Sequence, residues 1–262
     1  MSNHMTQPLT EFAAAIIDDG VIDAEEITKI RERIYADGVI DREEADFMFS
    51  LNDATSGANN DQGWQGLFVE ALTDHVLKDE ESPNEIDDDE ASYLITKIEA
   101  DGKIDSNELA LLVNIVANAK TATDDFNAFV LSSLKSAVLE DGIIDESEVQ
   151  MIRSVIYGTG GGAGSDVDRA EADFIFDLND ATSGKDNHSS WKELFVEAIA
   201  KHVLEDEESP GEVDEDEGEW LIKRIEGDGK YDENEKALLK NIEKNAKSIP
   251  GKLKTKMEML HT

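Results

Sequence analysis

The sequence predicts an all-α protein built from two tandem homologous multi-helix domains, and three observations predict it. Apolar residues recur at helical spacing along most of the chain. A long segment of the first half returns in the second with few changes. Short acidic turns of one pattern, Asp-Gly-x-Ile-Asp-x-x-Glu, punctuate both halves. The gaps between apolar stripes are only a few residues long, which favours antiparallel helix neighbours. About a dozen short helices are expected, with no convincing strand.

The turn at Gly20 is followed by an apolar stripe of Ile27, Ile30 and Ile34. A second turn at Gly38 repeats the same Ile-Asp-x-x-Glu ending, Asp23/Glu26 becoming Asp41/Glu44. After Trp64, Leu67/Phe68, Ala71/Leu72 and Val76 mark another helix, and Leu94, Ile95 and Ile98 one more. The turns at Asn84 and Gly102 carry Asp87/Glu90 and Asp105/Glu108, so each domain is two helix–loop–helix–loop–helix quarters. Residues 52–112 then recur as 179–239, pairing Trp64 with Trp191, His75 with His202 and Pro83 with Pro210. The domains are read as 9–120 and 126–247, with the boundary in the polar stretch 120–125 and a basic tail over 248–262. One turn departs from the pattern: Tyr157 to Asp168 holds a Gly-rich insertion. It lacks the Lys-Ser/Thr of a phosphate-binding loop and no strand precedes it, so it reads as a linker that weakens a cation site there.

The chain has 262 residues, 24 Lys+Arg against 61 Asp+Glu, a net charge of −37 and no cysteine. Charge this dense opposes compaction unless something neutralises it. It also excludes direct nucleic-acid binding, which needs Lys/Arg patches. Without cysteine there is no disulfide framework, thiolate nucleophile or zinc-finger site. The opening residues lack the basic segment and apolar run of a secretory signal, and no apolar stretch approaches the ~18–20 residues of a membrane span. The expectation is a cytoplasmic protein that does not insert into membranes.

The acidic turns admit two readings. In the simpler one, glycine ends one helix in the left-handed conformation, Asp caps the next, and Glu three residues later completes a capping box. That accounts for Asp23/Glu26, Asp41/Glu44, Asp105/Glu108, Asp145/Glu148 and Asp232/Glu235 without any ligand. It does not account for Asp19, Asp37, Asp101, Asp141 and Asp228, each placed where a helix already ends in negative polarity. A bound cation would reverse the local field. The spacing also matches part of an EF-hand loop, with Asp19 at its fifth position, Gly20 at its sixth, Asp23 at its ninth and Glu26 at its twelfth. The opening ligands are missing there, since Ala15 and Ile17 offer no side-chain oxygen. Two turns are more complete: Asp79, Glu81, Asp87 and Glu90, and Asp206, Glu208, Asp214 and Glu217, take the first, third, ninth and twelfth positions. All candidate ligands are oxygens, which favours Ca²⁺ over Zn²⁺, with Mg²⁺ or another hard cation as alternatives. The competing reading of these two turns is a solvated acidic connection.

Halves of this kind, with paired Asp-Gly-x-Ile-Asp-x-x-Glu turns, resemble the TerB-like domain of tellurite-resistance and stress proteins. The resemblance covers nearly the whole chain as a tandem. It implies an all-helical fold, calcium or metal-ion binding by acidic residues, a role in tellurite or other chemical stress, and partners associated with membranes. The Gly-rich insertion and the Asp79 and Asp206 turns depart from the plain pattern and bear on how many cations are held.

No nucleophile is assembled, and the acid pairs repeat in every quarter where an active site needs one asymmetric pocket, so no enzyme is expected. His75 and His202 read as partly buried residues near helix ends. Trp64, Trp191, Trp220, Phe47, Phe68, Phe174 and Phe195 read as core. The stretch Lys247–Lys256 is the one basic patch; it either folds back on the acidic body or, as is the default for such an end, stays solvated. Three functions fit: a calcium-binding regulatory or scaffolding protein, a metal-independent interaction scaffold, and an acidic decoy for a basic partner. Oligomeric state is not readable.

Overall fold

Asp is a strong N-cap because its short carboxylate reaches the free N–H groups of the first helical turn. Most helices here begin that way. The computed structural model describes residues 5–79, 82–158, 166–205, 210–227 and 229–260. Among them it is all-α, with thirteen α-helices. These are α1 (Leu9–Ile16), α2 (Ala24–Ile34), α3 (Arg42–Thr55), α4 (Gly63–Leu77), α5 (Asp88–Ile98), α6 (Ser106–Asn118) and α7 (Asp124–Val138). They continue as α8 (Glu146–Tyr157), α9 (Arg169–Thr182), α10 (Ser189–Leu204), α11 (Glu215–Glu226), α12 (Glu233–Asn245) and α13 (Gly251–Leu260).

The chain divides into two compact units, Met1–Val130 and Leu131–Thr262. The limit between them falls within α7, along which Phe126, Val130, Leu134 and Val138 are all buried. The basic stretch also differs from a solvated tail. Residues 251–260 are helical, and Leu253 and Met257 are buried against α11.

In the first unit α4 packs against α2, α3 and α6. Its sequence explains that place: Trp64, Leu67, Phe68, Ala71, Leu72, Val76 and Leu77 are buried, so apolar residues cover too wide an arc for a surface helix. In the second unit α10 takes the same role against α8, α9 and α12, burying Trp191, Leu194, Phe195, Ala198, Ile199 and Val203. Phe47 and Phe174 are core residues too, whereas Trp220 is only half-buried and donates its indole N–H to Asp173 at 2.9 Å.

Two strands of two residues each, β1 (Glu85–Ile86) and β2 (Thr121–Ala122), pair in parallel in the first unit. A single parallel bridge, Glu212 to Ser248, replaces them in the second. Segments this short carry no readable alternation, so sequence periodicity misses them. The turn that feeds them needs a positive φ, supplied by Asn84 at 65° and by Gly211 at 83°. Asn tolerates this region better than other side-chain-bearing residues.

Candidate functional site

Of the acidic residues singled out by spacing, the Asp–Glu pairs lie at helix starts. Asp23, Asp41, Asp87, Asp105, Asp145, Asp214 and Asp232 cap α2, α3, α5, α6, α8, α11 and α12. In each, Glu26, Glu44, Glu90, Glu108, Glu148, Glu217 or Glu235 turns back and accepts the cap's own N–H. The Gly-rich insertion does not disturb this chemistry, since Asp168 and Glu171 close the same box on α9. A twelfth-position EF-hand glutamate chelates with both oxygens. Here one oxygen of each glutamate is already bonded to the backbone.

The acids before the glycines also have a local partner. The Oδ1 atoms of Asp19, Asp37, Asp101 and Asp141 accept the N–H groups of Val21, Val39, Lys103 and Ile143 at 2.9–3.1 Å. These turns set a hydrogen bond against the unfavourable helix dipole, a compensation invisible to an argument from charge alone. Asp79 accepts from the backbone N–H of Ser82 at 3.1 Å, and Ser82 Oγ lies 3.3 Å from Asp87 Oδ2, so Asp79 and Asp87 share a neighbour. Glu81, Asp206, Glu208 and Asp228 lie outside the described residues. Among the described residues, no group of three or more His, Asp or Glu is arranged to hold a metal ion.

One turn gathers more charge than the others. Asp105 caps α6 through Oδ1, which accepts from Asn107 and Glu108 N–H at 2.8 and 3.0 Å. Its Oδ2 accepts from Asn52 Nδ2 at 2.9 Å and Ser56 Oγ at 3.0 Å, both on or beside the end of α3. Asn107 donates back to Asn52 Oδ1 at 2.8 Å. The second unit repeats the lattice with Asp232, Asn179, Ser183 and Asn234. Glu108 is 3% exposed. Burial, with repulsion from Asp105, Asp53 and Asp101 added, pushes its carboxyl up to about 8 against the bond from Asp105 N–H. Burial and the charges of Asp101 and Asp105 likewise raise Asp53. Asp53 is a member of this acidic group that spacing did not find, because it lies on α3, far away along the chain.

The equivalent group of the second unit includes Asp180, and Arg224 Nη2 approaches it at 3.6 Å while contacting Asp177 at 2.6 Å. In the first unit Lys97 occupies the matching position and reaches Asp46 at 2.8 Å. A cavity of about 380 Å³ opens beside Asp105, with Asn60, Asp61, Trp64, Gln65 and Asn107 in its wall.

His75 and His202 brace the turns from α4 and α10. Their Nδ1 atoms lie 2.8 and 2.7 Å from the carbonyls of Ile40 and Val167, each just before a capping aspartate. A carbonyl only accepts, so Nδ1 carries the proton in both. Burial lowers the pKa of His202, and its Nε2 is buried with no hydrogen-bond partner among the described residues. Each imidazole meets an aromatic ring, Tyr93 or Trp220, edge to face, and the guanidinium of Arg42 or Arg169 lies over that aromatic ring.

Comparison with protein-family models, with curated proteins and with solved structures gives no match for this chain.

Proposed function

We propose that this protein is a non-catalytic acidic interaction scaffold of TerB-like kind that engages a basic partner protein. The observation that carries this reading is the double use of the acids. Each Asp–Glu pair spends hydrogen-bonding capacity on starting a helix, so the frame is locally rigid, while its charge adds to a net −37. A rigid surface of one sign steers and selects partners of the other. The test is retention of proteins from a lysate of the native host on the immobilised full chain at low salt. The bound fraction should be basic and should elute as salt rises; retention indifferent to partner charge or to salt defeats the reading.

A second reading, Ca²⁺ binding as a regulatory input, is favoured by one observation: the crowding of Asp53, Asp101 and Asp105 around buried Glu108. A hard cation there would displace the proton that burial holds on Glu108 and relieve the repulsion. Calorimetric titration with Ca²⁺ at pH 7 in two buffers of different ionisation enthalpy checks it. Saturable binding with proton release is expected; absence of saturable heat defeats it. The role in tellurite or metal stress, the cytoplasmic location and membrane-associated partners follow from the TerB-like resemblance and are proposed on that basis alone.

A further inference from the structure

The basic stretch meets its electrostatic opposite on α11. In α13, Leu253 and Met257 stand one turn apart and are buried at 0% and 3% exposure. The residues just before them, Lys252 and Lys256, form ion pairs with Glu219 and Glu226 of α11. Gly218 of α11 makes the approach close: a Cβ there would meet Pro250 Cγ at 3.0 Å.

We propose that this face of α11 is a seat for basic amphipathic helices, and that α13 fills it in cis as a stand-in for such a helix on a partner protein. The proposal rests on the scaffold reading and names its partner class: a helix with apolar residues four apart, each preceded by Lys or Arg.

The repeat itself supplies the argument. By the register that pairs Trp64 with Trp191, the residues of α13 correspond to the start of α7. Phe126 and Val130, both buried, stand where Leu253 and Met257 are. The apolar pair is thus common to both units, but the charges are not. Asp125 and Phe129 stand in place of Lys252 and Lys256, and Ser92 in place of Glu219, while Glu99 matches Glu226. At these positions the second unit sets a lysine against each of its two acids, whereas the first unit has Glu99 and Asp125 and no lysine. Ion pairs this exposed contribute little to stability, but they set which helix is accepted and they fade with salt.

The test uses a fluorescein-labelled peptide of residues 248–260 and anisotropy titration against the full chain. Wild type should bind it weakly because α13 occupies the seat. A full chain carrying Leu253→Asp and Met257→Asp should bind it at least about tenfold more tightly. Adding Glu219→Ser and Glu226→Gln should remove that gain, and a scrambled peptide of the same composition should show none. Equal binding to wild type and variant, or an equal gain for the scrambled peptide, overturns the seat while leaving the scaffold reading intact. If no basic peptide binds any form at low salt, the scaffold reading fails with it. Should the double aspartate variant lose the fold of the second unit, hydrogen exchange of the Lys252→Glu/Lys256→Glu chain decides. Protection of α13 amides should fall about tenfold or more with α10 and α12 unchanged, and unaltered protection overturns the proposal.

Discussion

Glu108 concentrates the electrostatic strain of the first unit in one carboxyl. Its folded-state pKa, about 8, lies above the ordinary glutamate value of 4.5. The native state therefore holds a proton there that the unfolded chain releases, and the stabilisation is complete below about 4.5 and lost as pH rises through about 8. Glu90 and Glu171, both raised to about 7 mainly by burial, act in the same direction over a lower window. Glu108→Gln keeps an acceptor for Asp105 N–H but cannot ionise, so it should be more stable than wild type at pH 9 by about 1–3 kcal/mol and equal at pH 5. Urea denaturation at the two pH values checks it; a destabilised variant at pH 9 contradicts the assignment. Asp101→Asn preserves the bond to Lys103 N–H and removes the conflict with the helix end, so a gain of about 0.3–1 kcal/mol is expected in EGTA. In millimolar Ca²⁺ the same variant should lose stability relative to wild type if the calcium reading holds. Asn52 is 1% exposed and joins Asp105 to Asn107, and Asn52→Ala should cost about 1–3 kcal/mol by leaving buried partners unmet.

Helices in this protein are started by side chains and placed by their neighbours. Eight of them open with a complete capping box among the described residues. Each box is worth about 0.5–2 kcal/mol, enough to decide whether an isolated helix of this length forms. Asp168→Ala should therefore cost about 1 kcal/mol, even though a Gly-rich insertion precedes it; thermal melting of that variant beside Asp41→Ala tests whether the two boxes are equivalent. The spacing of Asp and Glu made these starts legible because every bond in a box lies within three residues. Helix α13 was not legible in the same way. A short lysine-rich segment becomes helical only when something covers its two buried apolar residues, Leu253 and Met257, and the cover is α11.

For the whole molecule the dominant quantity is a net charge of −37. Self-repulsion at that density destabilises the folded form, and salt within the physiological range screens it over about 8–10 Å. The melting midpoint should rise as NaCl increases from about 10 to about 150 mM, while a chain stabilised chiefly by its exposed ion pairs, such as Arg31–Glu70, would respond in the opposite sense. Most acids that drive this effect are spread over the surface, so the response should be nearly the same for NaCl and KCl.

The internal duplication was read directly from the sequence, and the helical class and the capping aspartates were decided by chemistry within a few residues, where spacing along the chain is distance in space. The meeting of Asp53 with Asp101 and Asp105, the lattice from Asn52 to Asp105 and the seat of α13 are different. They join groups carried on separate helices, and packing of α3 and α11 against their neighbours brought them within reach. A periodic pattern specifies which face of a helix turns inward. Which other helix waits there depends on the packing of the whole unit, and so does any site built between them.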